Sequence, residues 1–322
     1  MKARYLFPQD YMADPSANVF NGRMYIYPSH DWDSGECFDD DGGHFQMKDY
    51  HVLSLDDIME GPVTDHGKIL DVEDVPWAEK QMWDNDVVEK DGKYYLIFSA
   101  KDYCGVFHLG VAVADKPEGP FIPQPDPIRG SYSIDPCVFK DDDGQIYVYF
   151  GGIWGGQLQW YKDNKALKCE YLPEGDELPI PSRVAKLSDD VLQFAETPKP
   201  VVIVDENGEP LKAGDPHRFF EASWMHKFNG KYYFSYSTGD THLYFIKDDK
   251  RLLRQKWNIR EQFQFLDDTM RVLCRLENRR KFLLFIKVEL DIMLVALSAK
   301  FLHHPSLSNL ARTFDKNGFS VG

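Results

Sequence analysis

One strand–turn–strand motif recurs four times within the first three quarters of the chain. Each copy begins with an acidic residue, reaches Asn-Gly or Asp-Gly, and ends in an aromatic strand. The copies span residues 14–27, 84–97, 135–149 and 221–234. Asn-Gly and Asp-Gly between strand-forming runs are the strongest short-range signal for a β-hairpin. The repeat therefore predicts four hairpins of one kind and an all-β fold.

The spacing of the copies predicts a β-propeller. The starting acids lie roughly 50 to 85 residues apart, which leaves room for about four strands per unit, the size of a propeller blade. The innermost strand of every blade lines the central channel, so equivalent positions near its start converge. We therefore expect a carboxylate cluster of Asp14, Asp84, Asp135 and Glu221. Ordinary turn chemistry of Asp-Pro and Asp-Gly pairs is the alternative, but it explains the glutamate of the fourth copy less well.

The pattern changes near residue 243. Residues 243–322 carry 15 Lys+Arg and 9 Asp+Glu, whereas the first 242 residues carry 22 basic and 43 acidic side chains. Residues 243–304 contain neither glycine nor proline, and apolar residues between 282 and 297 recur at three- and four-residue steps, as in a helix. We therefore expect a propeller domain over 1–242 with four recognisable blades, followed by a helix-prone segment over 243–322.

Composition excludes several classes of function. A formal net charge of −15 argues against nucleic-acid binding, which requires a basic face. The chain has no apolar run long enough for a signal peptide or a membrane span. Its five cysteines are scattered, which favours free thiols in a reducing compartment. We expect a cytoplasmic protein with neither nucleic acid nor membrane as a partner; its oligomeric state stays open.

Three short motifs carry a family resemblance. Ala13-Asp14-Pro15, Ser133-Ile-Asp135-Pro136 and Phe220-Glu221-Ala222 resemble glycoside hydrolase family 43, whose members are five-bladed propellers. Residues 25–31, 151–156 and 236–242 resemble its β-xylosidase and α-L-arabinofuranosidase branch. The resemblance covers about residues 5–242, and nothing in 243–322 resembles the family's fifth blade.

The resemblance implies a role for three carboxylates. Asp14 would be the general base that activates water, and Glu221 the general acid that protonates the leaving oxygen. Asp135 would orient Glu221 and tune its pKa. These roles are physically consistent, because a neighbouring carboxylate disfavours ionisation of the acid and a base that acts through water inverts the anomeric centre.

Five further residues are candidates for contacting the sugar. Aromatic side chains can stack on a sugar ring, although a tryptophan beside a strand is as often part of the core; the candidates are Trp83, Trp154 and Trp224. His30 and Asp31 could hydrogen-bond to sugar hydroxyls, with packing of their loop as the favoured alternative. The resemblance places Ala-Pro-Asp after the tryptophan of the second blade, where this chain has Asp84-Asn85-Asp86.

No metal ligand is assigned from the sequence, and the chemistry requires no cofactor. The resemblance implies a structural Ca²⁺ beside a histidine of the fifth blade, but 243–322 offers no matching histidine. The acidic loop at 39–44 lacks the spacing and the closing glutamate of an EF-hand and is interpreted as a solvated turn.

The sequence thus predicts an inverting, exo-acting glycosidase for short xylo- or arabino-oligosaccharides, an activity of xylan degradation. A different possibility is a propeller that binds carbohydrate without turnover because its fifth blade is altered. A third is an interaction scaffold, against which the inward-facing acids argue. The residues do not distinguish xylose from arabinose as the substrate sugar.

Overall fold

The computed structural model describes residues 5–35, 41–57 and 61–239. These residues form β-strands joined by turns, loops and four short 3₁₀ segments at Val72–Asp74, Trp154–Gly156, Leu158–Trp160 and Lys162–Asn164. The all-β prediction is confirmed for this part of the chain. Within it, no helix has the length and apolar character needed to cross a bilayer. The predicted helix-prone segment 243–322 lies outside the described residues.

The strands are grouped by sequence into successive antiparallel sheets. The first sheet contains β1 (Met12–Phe20), β2 (Arg23–Asp33), β3 (Phe45–Leu55) and β4 (Thr64–Asp71), in that order. The second contains β5 (Ala78–Lys80), β6 (Asn85–Lys90), β7 (Lys93–Asp102), β8 (Phe107–Ala114) and β9 (Ile122–Pro123), with β7 pairing with β5, β6 and β8. The third contains β10 (Cys137–Lys140), β11 (Ile146–Phe150), β12 (Ser182–Lys186) and β13 (Lys199–Val201). A two-stranded sheet follows, formed by β14 (Glu221–Phe228) and β15 (Lys231–Ser237).

The four predicted hairpins are confirmed as β1–β2, β6–β7, β10–β11 and β14–β15. Three of them turn on two residues with positive φ, for example Asn21 at 53° and Gly22 at 80°. This is the geometry of a type I′ turn, which requires Asn, Asp or Gly and matches the twist of the flanking strands. The third hairpin has a longer loop, closed by hydrogen bonds between Asp141 and Gln145 and between Gly144 and Asp141.

The first strand of each hairpin lies beside the first strand of the next. Thus β1 contacts β6, β6 contacts β10, and β10 contacts β14. Buried side chains fill the space between consecutive sheets: Tyr27, Tyr50 and Phe98 belong to the core between the first and second sheets. Leu109 and Phe150 belong to the core between the second and third. Consecutive sheets therefore pack face to face, and the first strands of their hairpins, which we call the inner strands, are neighbours (β1, β6, β10 and β14).

Asp86 of β6 ties three of these inner strands together. Its carboxylate accepts hydrogen bonds from Asn18 Nδ2 of β1 (2.7 Å), from the backbone N–H of Val138 in β10 (2.8 Å), and from the N–H of Val87 (2.8 Å). Asp86 is only 1% exposed. A buried acceptor that satisfies donors from two neighbouring sheets fixes their mutual position.

The cysteines fit the expectation of free thiols where they are described. Cys104, Cys137 and Cys169 form no disulfide. Cys37 and Cys274 lie outside the described ranges, so the expectation for these two stays a prediction.

We predict that Asp86→Ala lowers the free energy of unfolding by about 3 kcal/mol, because it leaves the donors of buried Asn18 and half-buried Val138 without this acceptor. Urea denaturation of the full chain measures this loss. Asp126→Ala removes an exposed loop carboxylate and serves as the matched control, with an expected change near zero. Equal stability of the two variants would contradict the role given to Asp86.

Candidate active site

The acids that open the four repeats converge, as the sequence predicts. Asp14 lies in β1, and Glu221 is the first residue of β14. Asp84 immediately precedes β6, and Asp135 lies two residues before β10. Asp14, Asp84 and Asp135 line one cavity of about 60 Å³. The charge of Glu221 acts on Asp135 and completes the cluster.

The backbone bends where the acids project. Asp14 and Asp135 have φ of 46° and 58°, and Ala222, next to Glu221, has φ of 58°. Residues other than glycine rarely adopt this left-handed conformation, which costs about 1–3 kcal/mol at each position. Strand pairing shifts register beside Asp14 and again beside Ala222. Such bulges redirect side chains at functional sites.

Asp135 is held directly against the strand that carries Glu221. Its Oδ2 accepts a hydrogen bond from the backbone N–H of Ala222 at 2.6 Å, and the residue is 7% exposed. Burial raises the pKa of Asp135 well above its usual range. A hydrogen bond from Asp84 lowers this pKa, the negative charge of Glu221 raises it, and the Ala222 N–H lowers it. Asp135 is therefore the link between the acid of the second repeat and the acid of the fourth.

Asp14 and Asp84 also lie in surroundings that disfavour their charge. Burial raises the pKa of Asp14 well above its usual range, and the charges of Asp84 and Asp31 raise it further. Burial likewise raises the pKa of Asp84, as do the charge of Asp135 and the hydrogen bond shared with it. Neighbouring carboxylates cannot all ionise together, so the cluster holds protons at a pH where isolated aspartates would not.

The glycine-rich loop 151–156 lies against the acid of the fourth repeat. Ser133 Oγ accepts from the N–H of Gly152 (2.9 Å) and donates to the carbonyl of Gly156 (2.5 Å), which fixes the loop. A Cβ on Gly152 would lie 2.9 Å from the side chain of Ile134 and 3.2 Å from Cβ of Glu221. Only glycine permits this close approach of the loop to Glu221.

The three candidate tryptophans occupy different surroundings. Trp83 is 7% exposed, donates its indole N–H to the carbonyl of Phe45 (3.0 Å), and packs against Phe107 at a ring distance of 4.7 Å. This is a core environment, the alternative that the sequence left open for it. Trp224 lines the carboxylate cavity. Trp154 is half-buried in the glycine-rich loop, where its backbone N–H donates to Gln159 (3.0 Å).

His30 and Asp31 are adjacent in sequence but differ in their contacts. The ring of His30 bridges two carboxylates, with Nδ1 2.9 Å from Asp49 and Nε2 3.1 Å from Asp10. These bonds support the packing alternative for His30. The charge of Asp31 acts on Asp14, so Asp31 is the member of this pair that lies near the acid cluster.

One group in the described part of the chain could hold a metal ion. His30, Asp49 and His51 each offer a ligand atom, and these atoms lie within 4.8 Å of one another. Two imidazole nitrogens and one carboxylate suit a transition metal such as Zn²⁺. They do not fit Ca²⁺, which takes six to eight oxygen ligands. The calcium that the resemblance implies depends on the fifth blade, which lies outside the described residues.

Sequence reasoning missed one residue beside the cluster, Tyr50. Tyr50 is fully buried, its hydroxyl donates to the carbonyl of Ser99 (3.3 Å), and the charges of Asp84 and Asp14 act on it. Nothing in the sequence distinguishes Tyr50 from other strand tyrosines. The sequence predicts Asp84 in the cluster but indicates no role for it, although its position in the repeat matches that of Asp14.

The chain matches a family model and several characterised proteins. The model described as "Glycosyl hydrolases family 43" matches residues 13–244. A protein of Xylanibacter ruminicola named beta-xylosidase is 79% identical over 244 residues, which is 76% of each chain. A xylosidase/arabinosidase of Bacteroides ovatus is 65% identical over 241 residues, or 74% of each chain.

Solved structures give the same result. A β-xylosidase/α-arabinofuranosidase from a compost microbial metagenome, solved with xylotriose in a calcium-free form, is 57% identical with a TM-score of 0.70 and covers 73% of each chain. A family 43 enzyme of Xanthomonas citri, also solved with xylotriose, is 52% identical with a TM-score of 0.69. That match covers 73% of this chain and 69% of the other.

We predict that Asp14→Asn stabilises the folded chain increasingly as pH rises. The pKa of Asp14 is raised in the folded state, so below its ordinary value of 3.8 the carboxyl is protonated in both folded and unfolded chains and contributes nothing. Above that value the folded state alone resists ionisation, and wild-type stability falls. Asparagine cannot ionise and avoids this loss.

Urea unfolding of both proteins between about pH 4 and pH 8 measures the difference. Asp126→Asn, at an exposed loop position, is the control and should track the wild type throughout. A constant difference between Asp14→Asn and wild type across this range would contradict the raised pKa.

Proposed function

The chain belongs to glycosyl hydrolases family 43 and is a glycoside hydrolase, and we propose that it releases single pentose units from short xylo- or arabino-oligosaccharides with inversion of configuration. The observation that carries this proposal is the convergence of Asp14, Asp135 and Glu221 from three separate repeats. The names and ligands of the similar proteins support the substrate class.

Glu221 would be the general acid. It must carry a proton at the working pH and give it to the glycosidic oxygen as the bond to the anomeric carbon breaks. The Asp135 carboxylate, fixed by the Ala222 N–H, places negative charge beside Glu221 and disfavours its ionisation. The glycine-rich loop lies close to Glu221, since a Cβ on Gly152 would be 3.2 Å from Cβ of Glu221.

Asp14 would be the general base. It would take a proton from a water molecule that attacks the anomeric carbon from the face opposite the leaving group. Asp14 acts only when ionised, and its surroundings raise its pKa. Activity should therefore rise with pH as Asp14 loses its proton and fall again as Glu221 loses its own.

We also propose that the described sheets are four blades of the five-bladed propeller family, as the contacts between consecutive inner strands support. We propose further that the protein is cytoplasmic, which is supported by thiols of Cys104, Cys137 and Cys169 that form no disulfide. Binding without turnover is the second candidate function, but no contact among the described residues favours it over catalysis. A calcium ion, if one binds, would be structural, and the proton transfers proposed above require only the carboxylates.

We predict that Asp14→Asn and Glu221→Gln each reduce hydrolysis of xylobiose by a factor of about 10² to 10⁴, since each removes one proton-transfer group. Hydrolysis of paired β-xyloside and α-arabinofuranoside substrates by the full chain provides the assay and identifies the preferred sugar. Asp126→Asn should retain wild-type turnover. Near-wild-type rates in either carboxylate variant would remove that residue from its role, and wild-type protein that binds xylobiose without cleaving it would favour the second function.

We predict inversion at the anomeric carbon, because a base that works through water displaces the leaving group in a single step. Proton NMR of the first sugar formed from a β-xyloside should show the α-anomer before mutarotation. Initial formation of the β-anomer would mean that a side chain attacks the sugar directly.

A further inference from the structure

We propose that Asp84 is a positioning residue which, as a neutral acid, donates a hydrogen bond to Asp135 and so favours the ionised form of Asp135 beside Glu221. The proposal rests on the function assigned above and adds a fourth carboxyl group to the proton arrangement of the site.

The geometry brings Asp84 to Asp135 and fixes it there. Both side chains line the 60 Å³ cavity, and their carboxyl groups share a hydrogen bond. The backbone of Asp84 is anchored by Ser99, whose N–H and Oγ both donate to the Asp84 carbonyl at 3.1 and 3.0 Å. Ser99 in turn accepts from the N–H of Trp83 at 3.1 Å. A side chain on such a fixed backbone can direct a proton to one acceptor.

Two carboxyl groups in hydrogen-bond contact must share a proton, because two negative charges at that distance repel strongly. The partners of each group decide which one holds it. Asp135 also accepts the Ala222 N–H at 2.6 Å, a bond that stabilises its anionic form. The charge of Asp135 acts on Asp84, and Asp84 shares its cavity with Asp14, so an anion on Asp84 is disfavoured. The proton therefore belongs on Asp84, with Asp135 as the acceptor.

Burial and the charge of Asp135 both favour the neutral form of Asp84. The other titratable groups around the cluster make the following contacts. Tyr50 of β3 is close to Asp84 and Asp14, but its hydroxyl donates to Ser99. Lys101 of β7 lies with its ammonium 4.9 Å from the centre of the Phe107 ring. The remaining neighbours are acids: Asp31 acts on Asp14, and Glu221 acts on Asp135.

The consequence concerns the proton of Glu221. With the Asp84 hydrogen bond in place, Asp135 is a weak competitor for that proton, which stays on Glu221, ready for the leaving oxygen. Without it, the pKa of Asp135 rises and the single proton divides between Asp135 and Glu221. The fraction of molecules with a protonated acid then falls.

The test compares substrates that need the acid to different extents. Asp84→Ala removes the donor and should slow hydrolysis of xylobiose about 100-fold, within the range for a general acid. It should leave an aryl xyloside with an activated phenol leaving group within a few-fold of wild type, because that leaving group departs without protonation. Asp84→Asn retains an N–H donor to Asp135 and should restore the rate on xylobiose.

Equal losses on both substrates would overturn the proposal, because a merely structural role would slow both. Failure of Asp84→Asn to recover xylobiose hydrolysis would also overturn it. Asp84→Leu, of similar size and without a donor, replaces the alanine variant if that one does not fold. A wild-type chain that cleaves neither substrate would be a failure of the proposed function instead.

Infrared spectroscopy tests the proton independently of activity. The spectrum of wild type minus Asp84→Asn at neutral pH should contain the C=O stretch of a protonated carboxylic acid. Asp126→Asn, which changes an exposed carboxylate, should produce only a carboxylate difference band. A wild-type spectrum in which Asp84 contributes a carboxylate band would overturn the assignment of the proton.

Discussion

The first strands of the four hairpins lie side by side. Buried polar groups between these strands must therefore form hydrogen bonds with one another. Asp86 meets this constraint by accepting hydrogen bonds from β1, β10 and its own strand β6. The same alignment brings the starts of these strands together, where the acids of the repeats lie. Type I′ turns fix the register of three hairpins, and the loop between Asp141 and Gln145 fixes that of the other. A slip of one residue would turn every side chain of a strand to the opposite face. The carboxylate cluster thus depends on the turn residues at the far end of each hairpin.

The cluster is unfavourable for folding in itself. Burial and mutual repulsion raise the pKa values of Asp14, Asp84 and Asp135, and two of these residues also adopt left-handed backbone conformations. The cores between the sheets, rich in fully buried aromatic residues such as Tyr27 and Phe98, offset this cost. Strain and concentrated like charge at one end of a well-packed scaffold are typical of a site under selection for chemistry rather than for stability.

The sequence predicts those features that repeat along it. Hairpins follow from the Asn-Gly and Asp-Gly pairs, and the convergence of Asp14 with Asp135 follows from their equal place in the repeat. Features that depend on contacts between repeats could not be predicted: the core position of Trp83 beside Phe107, the pairing of His30 with Asp49, and the hydrogen bond from Asp84. In each of these cases the sequence gives the chemistry of a side chain, while its partners come from strands more than ten residues away.

Carboxyl groups of one chemical type can perform different tasks only if their surroundings separate them. At this site the separation arises from the hydrogen bonds that Asp135 accepts. Ala222 offers it a backbone N–H and Asp84 a shared proton, so Asp135 is the group best able to bear the negative charge. In the proposed mechanism its charge disfavours ionisation of Glu221 on one side, while Asp84 on the other side is the neutral donor. Asp14 is then the carboxyl proposed to lose its proton in order to act. The proposed division of tasks among the four groups thus depends on one buried acceptor, Asp135.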